Sequence, residues 1–218
     1  MSTTEPVIVV YDAARGLHLP DVRLPPVELF EFQRTTLARG GLAPLEIFDR
    51  FADCLPSDLF ILVPPQPARV DLLDWVDLMG KVTFNGKGGQ SDLKSQHLLD
   101  YGWEVKVPTM LIGVEDESKN RRIRPMDSRM NIIQREGRQP YALWHGYIVV
   151  RLFPQVLTHH SFGCVGTRYM SAYKPHFYLK RGQPTLHCHA QEVMLYRYGE
   201  GLCREEVWDI PSYARSQT

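Results

Sequence analysis

The chain has no excess of charge of either sign, because 25 basic side chains balance 25 acidic ones among its 218 residues. A neutral balance gives no global attraction towards nucleic acid or an anionic membrane. No apolar run approaches the roughly 20 residues that a helix needs to cross a bilayer. The first residues also lack the basic region of a signal peptide. We therefore expect a cytoplasmic protein without a membrane partner, and nucleic acid is disfavoured as a partner but still open.

Cysteine is scarce, and its four residues, Cys54, Cys164, Cys188 and Cys203, form no close pair. Disulfide frameworks and zinc ribbons show closely spaced cysteines, so neither is predicted. The sequence also lacks the Gly-x-Ser-x-Gly elbow of serine hydrolases, and no cysteine is paired with a histidine as an activated nucleophile. We predict no cofactor, and no catalytic residue can be assigned.

Apolar patterning predicts the fold class. Short apolar runs predict buried strands at 58–64 and 105–114, and helical spacing predicts helices at 27–37, 44–54, 127–137 and 141–153. Helices and strands do not alternate regularly, and the last third of the chain favours strands. This pattern indicates an α+β fold rather than a doubly wound sheet, with short helices in the first two thirds around a mixed sheet and antiparallel hairpins in the last third.

The length suits one large domain or two small ones, and it is sufficient to bury a proper core. We predict an extended segment over 1–26, a single α+β domain over 27–211 and a frayed tail over 212–218. The strand within 107–114 is expected to lie at the centre of the sheet, since its charges stand only at its ends.

A β-hairpin is predicted around 180–184, because the flanking segments alternate in polarity. The length of its turn decides the register. A two-residue turn places His176 opposite His187, whereas a three-residue loop places His176 opposite Cys188. We favour the longer loop, because the short turn requires a positive φ that suits Arg181 badly.

Potential zinc ligands are concentrated in the last third, at His159, His160, Cys164, His187, Cys188 and His189. Imidazole and thiolate are the right donors for zinc. However, alternation along a strand turns Cys188 away from His187 and His189, and closely spaced ligand pairs are missing. We predict no metal site. The alternative is a site built from His159, His160, His187 and His189.

A glycine-rich segment at 85–90 precedes Ser91, which is predicted to cap a helix ending at Leu99. Backbone N–H groups at such a position attract anions. The segment matches neither the P-loop nor the dinucleotide-binding pattern, so we favour a plain loop.

Basic residues dominate between 119 and 138, where seven basic side chains minus two acidic ones leave a surplus of five. Arginine binds phosphate and carboxylate through its forked donors. We predict a small anionic ligand or another protein as the partner. The candidate ligand-binding residues are Arg121, Arg122, Arg124, Arg138, Arg168 and Lys87.

Several short segments share their order with a known family. They are Phe32-Gln33-Arg34, the segments 59–64 and 108–116, Glu136-Gly137-Arg138-Gln139-Pro140, the segments 144–146 and 153–157, Gly166-Thr167-Arg168 and the segment 182–186. From 27 to 190 the chain resembles a bacterial family of uncharacterised proteins, the domain of unknown function 5701 type. The shared segments contain no catalytic signature, and the resemblance implies no activity.

The function expected from the sequence is a non-catalytic cytoplasmic binding or protein-interaction domain, because the sequence shows no recognisable set of catalytic residues. The alternative is a metal-dependent hydrolase or nuclease acting on a phosphate-containing substrate. It would use the histidine-rich end or the turn at 115–119, where carboxylates can bind magnesium and Lys119 can assist a water. A small-molecule enzyme whose site is assembled by the fold is the third class, so catalysis stays open.

Overall fold

The computed structural model describes residues 8–9, 21–22, 24–57, 59–100, 104–115, 139–158, 162–164, 166–170, 173–190 and 213–217. Within them, helices pack with a curled mixed sheet and an antiparallel hairpin near the C-terminus, which confirms the predicted α+β class. No helix in these ranges is long and apolar enough to cross a membrane. The helix predicted for 127–137 lies outside the described residues.

The α-helices are α1 (Pro26–Arg39), α2 (Trp75–Gly80) and α3 (Leu143–Leu152), and 3-10 helices lie at Leu45–Cys54, Val70–Leu72, Ser95–His97 and Pro154–Thr158. The strands are β1 (Ile8–Val9), β2 (Asp21–Val22), β3 (Phe60–Val63), β4 (Thr83–Phe84), β5 (Lys87–Gly88), β6 (Gln90–Ser91), β7 (Leu98–Asp100), β8 (Thr109–Glu115), β9 (Gln139–Pro140), β10 (Phe162–Gly163), β11 (Thr167–Tyr169), β12 (Tyr173–Lys180), β13 (Gln183–Ala190) and β14 (Tyr213–Gln217). The segment predicted as the helix 44–54 is therefore helical, but with the tighter 3-10 geometry.

Helix α1 buries the face that its sequence predicts, with Leu29, Phe30, Gln33 and Leu37 in the core. A proline begins it, which is favourable because the first helical N–H has no partner inside the helix. The spacing of these residues is local information, and it is sufficient to orient the helix.

The first sheet has the order β3-β8-β14-β9. Strand β8 pairs with β3 on one side and with β14 on the other, as expected for the apolar run, although it begins at Thr109 rather than Val105. The prediction of a frayed tail is wrong for Tyr213–Gln217, because these residues form β14 between β8 and β9.

The second sheet has the order β6-β13-β12-β11-β7, with β10 also paired to β12. Helix α3 contacts both sheets, through β3 and β12, and also contacts α1. All residues from 143 to 150 are buried, as predicted for a helix packed on several sides. Its Trp144 stacks on Tyr147 with ring centroids 5.4 Å apart, and the indole N–H donates to the carbonyl of Pro64.

The N-terminus of α3 is capped by side chains rather than left open. The backbone N–H of Leu143 donates to Thr167 Oγ1 at 2.8 Å, and the N–H of Ala142 donates to His145 Nδ1 at 3.0 Å. The first N–H groups of a helix have no partner within it, so a buried helix start requires such acceptors. His145 therefore has to present an unprotonated Nδ1.

The helix predicted from Ser91 to Leu99 is wrong. Gln90–Ser91 instead pairs in parallel with β13, and Leu98–Asp100 pairs with β11. The hydroxyl of Ser91 accepts a hydrogen bond from the N–H of Leu93, a local turn contact that competes with helix capping.

The glycine-rich segment forms a tight hairpin and not an anion-binding loop before a helix. Asn85 and Gly86 have φ of 48° and 75° between paired Phe84 and Lys87, as a type I′ turn requires. A Cβ on Gly89 would lie 2.5 Å from the carbonyl oxygen of Met79. The glycines are therefore explained by turn geometry and by close backbone approach.

Gly89→Ala is expected to lower the free energy of unfolding by about 2 kcal/mol, because the new methyl group meets backbone that cannot move alone. The matched control is Gly80→Ala, where nothing lies within 4 Å of the added methyl and helix propensity favours alanine. Urea denaturation of both variants measures the difference. Equal stability of the Gly89 variant and the wild type would contradict the close approach.

Candidate functional site

The β12–β13 hairpin corrects the predicted register. Lys180 pairs with Gln183 across a two-residue turn, and His176 lies directly opposite His187. Their ring centroids are 6.2 Å apart at an interplanar angle of 77°, and the ring of His176 also stacks on Tyr178 at 5.1 Å. The preference for a longer loop was wrong, so the two histidines gather on one face.

The turn is short because Arg181 accepts the left-handed conformation, with φ of 54°, followed by Gly182 at 74°. A non-glycine residue there is strained. Contacts with the β4–β5 hairpin stabilise the turn: Lys87 Nζ donates to the carbonyl of Arg181 at 2.9 Å, and Gln183 Nε2 donates to the carbonyl of Gly88 at 2.7 Å.

Asp92 and His187 form the polar centre of the site. The parallel register pairs Leu186 with Ser91. The residues that follow them are therefore neighbours: His187 on β13 and Asp92 just past the end of β6. His187 Nδ1 lies 2.7 Å and 2.5 Å from the two carboxylate oxygens of Asp92. Because a carboxylate only accepts hydrogen bonds, Nδ1 is the donor, and the pair fixes the orientation of the imidazole ring.

A pocket of about 210 Å³ opens beside this pair, at the edge of β13 just beyond β6. Its lining residues are Asp92, Leu93, Tyr169, Met170, Tyr173, His187 and Cys188. We call it the Asp92–His187 pocket. The rings of Tyr169 and Tyr173 meet edge to face with centroids 6.5 Å apart, and His97 packs edge to face on Tyr169 at 5.6 Å.

Met170 lies at the rim of the pocket in a strained conformation. Its φ is 50°, its side chain is exposed, and its N–H donates to the carbonyl of His97 at 3.0 Å. Left-handed non-glycine residues cost on the order of 1 kcal/mol and are concentrated at functional sites. The strain therefore supports this pocket as the candidate site.

Cys188 contributes a thiol that stays protonated. Burial raises its pKa well above the usual range, and the neighbouring charge of Asp92 raises it further. A thiolate is the nucleophilic form of cysteine, so this residue is poorly suited to attack a substrate. Its role in the pocket is that of a small apolar wall.

The residues of the predicted alternative metal site are only partly described. His187 lies beside Asp92, and His189 lies on β13, opposite Lys174. His159 and His160 fall outside the described residues. Within the part of the chain that the structure covers, no three His, Cys, Asp or Glu side chains are grouped so that they could hold a metal ion.

Of the predicted anion-binding residues, the structure describes only Arg168 and Lys87. Arg121, Arg122, Arg124 and Arg138, like 116–120 of the nuclease-like turn, are outside the described residues. Arg168 is half-buried on β11 opposite Leu99, and Lys87 supports the β12–β13 turn.

Sequence reasoning missed the residues that build the pocket, apart from His187 and Cys188. Asp92 is 95 positions from His187, and no motif joins them. The sequence contains only a weak signal for this pocket, namely two tyrosines, Tyr169 and Tyr173, close together on either side of Met170.

Comparison with protein-family models, with curated proteins and with solved structures found no match. The resemblance to the domain of unknown function 5701 type therefore stays a prediction.

Proposed function

We propose that this protein is a non-catalytic binding domain whose ligand occupies the Asp92–His187 pocket. The observation that carries the proposal is the oriented Asp92–His187 pair beside two tyrosine rings in one concavity. Ligand sites are typically concave, mostly apolar and equipped with a few fixed polar groups. The pocket has this composition.

Binding is favoured over serine- or cysteine-type catalysis because the described lining contains no serine, no threonine and no reactive cysteine. An aspartate–histidine pair is the base of many hydrolases, where it activates a serine hydroxyl or a cysteine thiol. Cys188 is the only thiol in the described lining, and burial keeps it protonated. The pair then serves to present an imidazole and a carboxylate to a ligand.

A thermal-shift screen of small cations, anions, sugars, nucleotides and acyl compounds tests the proposal. A ligand at about ten times its Kd is expected to stabilise the fold by about 1.4 kcal/mol and to raise Tm by roughly 3–5 °C. Asp92→Ala should abolish that shift, because the imidazole of His187 loses its orienting partner.

The matched control is Asp49→Ala. Asp49 and Asp92 are similarly exposed, with 61% and 62% of the side chain accessible, and each carboxylate is bound by one basic side chain, Arg34 or His187. The control should retain the full shift. Absence of any hit, or hits that survive Asp92→Ala, would overturn the proposal.

A metal-dependent hydrolase or nuclease is the second candidate function, acting on a phosphate-containing substrate. The convergence of His176 and His187 next to Asp92 favours it. It would need a further ligand from outside the described residues, such as His159 or His160. Elemental analysis separates the two functions: about one bound transition metal per chain, with phosphodiester hydrolysis that a chelator removes, would support the hydrolase and contradict the binding domain.

A further inference from the structure

We propose that the ligand of the Asp92–His187 pocket presents a small cationic group of the ammonium class on an apolar body. This inference rests on the function proposed above and specifies its ligand. It departs from the small anionic ligand that the arginine-rich segment 119–138 suggested.

Charge is the first argument. The described lining contains the carboxylate of Asp92 and no lysine or arginine, so an anion would meet repulsion with no fixed cation to offset it. On the hairpin, Lys174 is buried and is not among the residues that line the pocket.

The aromatic walls are the second argument. Two tyrosine rings with an interplanar angle of 84° line the same small space. The ring face carries negative electrostatic potential and attracts ammonium groups, which is how aromatic cages recognise quaternary ammonium. Met170 adds a polarisable thioether at the rim, and Leu93 adds apolar surface for the ligand body.

Size is the third argument. Drug-sized ligands occupy pockets of roughly 300–1,000 Å³, whereas this pocket holds about 210 Å³. A head group such as trimethylammonium therefore fits better than a nucleotide or a sugar chain, with the remainder of the ligand outside.

Calorimetric titration with choline, with its uncharged isostere carrying a tert-butyl group, and with pivalate tests the inference on the full chain. Choline is expected to bind at least about tenfold more tightly than the uncharged isostere, since a carboxylate and cation–π contacts each stabilise the bound positive charge. Pivalate is expected to give no binding.

Substitutions at Asp92 and Tyr173 test whether choline binds in this pocket. Asp92→Asn should weaken choline binding by about tenfold, while the control Asp49→Asn leaves it unchanged. Tyr173→Leu should weaken binding several-fold, whereas Tyr173→Phe keeps the ring and should change binding by less than about twofold. Tyr173 is partly exposed, so neither change threatens the core.

The outcomes separate this inference from the proposed function. Equal binding of choline and its uncharged isostere, or binding of pivalate alone, overturns the cationic ligand and leaves a ligand pocket in place. No binding of choline also overturns the inference, and the thermal-shift screen then decides on its own whether the pocket binds anything.

Discussion

Gln33→Leu is expected to lower the free energy of unfolding by about 4 kcal/mol, because it leaves two buried backbone groups without partners, at about 1–3 kcal/mol each. Gln33 is fully buried on α1. Its Nε2 donates to the carbonyl of Phe60 at 2.8 Å, and its Oε1 accepts from the N–H of Leu62 at 2.8 Å. Both groups lie on β3, the edge strand of its sheet in the described chain. One amide side chain thus replaces a neighbouring strand.

Two further variants make the measurement specific. Thr35→Leu introduces the same residue at a half-buried position on the same helix and should change stability by less than about 0.5 kcal/mol. Gln33→Ala should be at least as destabilising as Gln33→Leu, because it adds a cavity to the two unpaired groups. Urea denaturation gives the three values. A Gln33→Leu variant that unfolds at the wild-type midpoint would show that the edge of β3 is satisfied in another way.

Acidification is expected to remove about 3 kcal/mol of stability through His145. Burial lowers the pKa of His145 from 6.5 to about 4. Between these values the unfolded chain binds a proton that the folded chain does not, so stability falls as pH falls from about 6.5 to about 4. Each unit of pKa difference corresponds to about 1.4 kcal/mol. The N–H of Ala142, which caps α3, also donates to Nδ1 and so needs that nitrogen unprotonated.

His145→Gln provides the matched control. A glutamine at the third helical position can accept the same N–H but does not titrate. The free energy of unfolding of the wild type should therefore fall relative to that of the variant, by about 3 kcal/mol between pH 7 and about pH 4. If the two free energies of unfolding instead differ by a constant amount at every pH, protonation of His145 does not control the loss of stability in acid.

Local patterns predicted what local sequence determines. The buried face of α1 and the all-round burial of α3 follow from spacing within one helix. The strand at Thr109–Glu115 follows from an apolar run. Strand β14 was not predicted, because its sequence, Tyr-Ala-Arg-Ser-Gln, lacks an apolar run. Its place in the sheet depends on pairing with β8.

The site depended on contacts between distant segments. The turn at Arg181 is stabilised by Lys87, 94 positions away, so the intrinsic preference against a positive φ gave the wrong register. Asp92 was assigned to a helix because Ser91 resembles a cap, whereas pairing with β13 placed it beside His187. Propensity is a weak guide where tertiary pairing competes with it.

The most direct test of the ligand pocket is the set of ring resonances of Tyr169, Tyr173 and His187 in ¹³C-labelled protein during titration with hits from the thermal-shift screen. All three rings border one pocket, so the account predicts that they shift together along one binding curve. The ring of Tyr147, fully buried against Trp75 and Trp144, should stay unchanged and serves as the internal reference. Hits that leave the three rings unmoved while shifting resonances elsewhere would contradict the central claim.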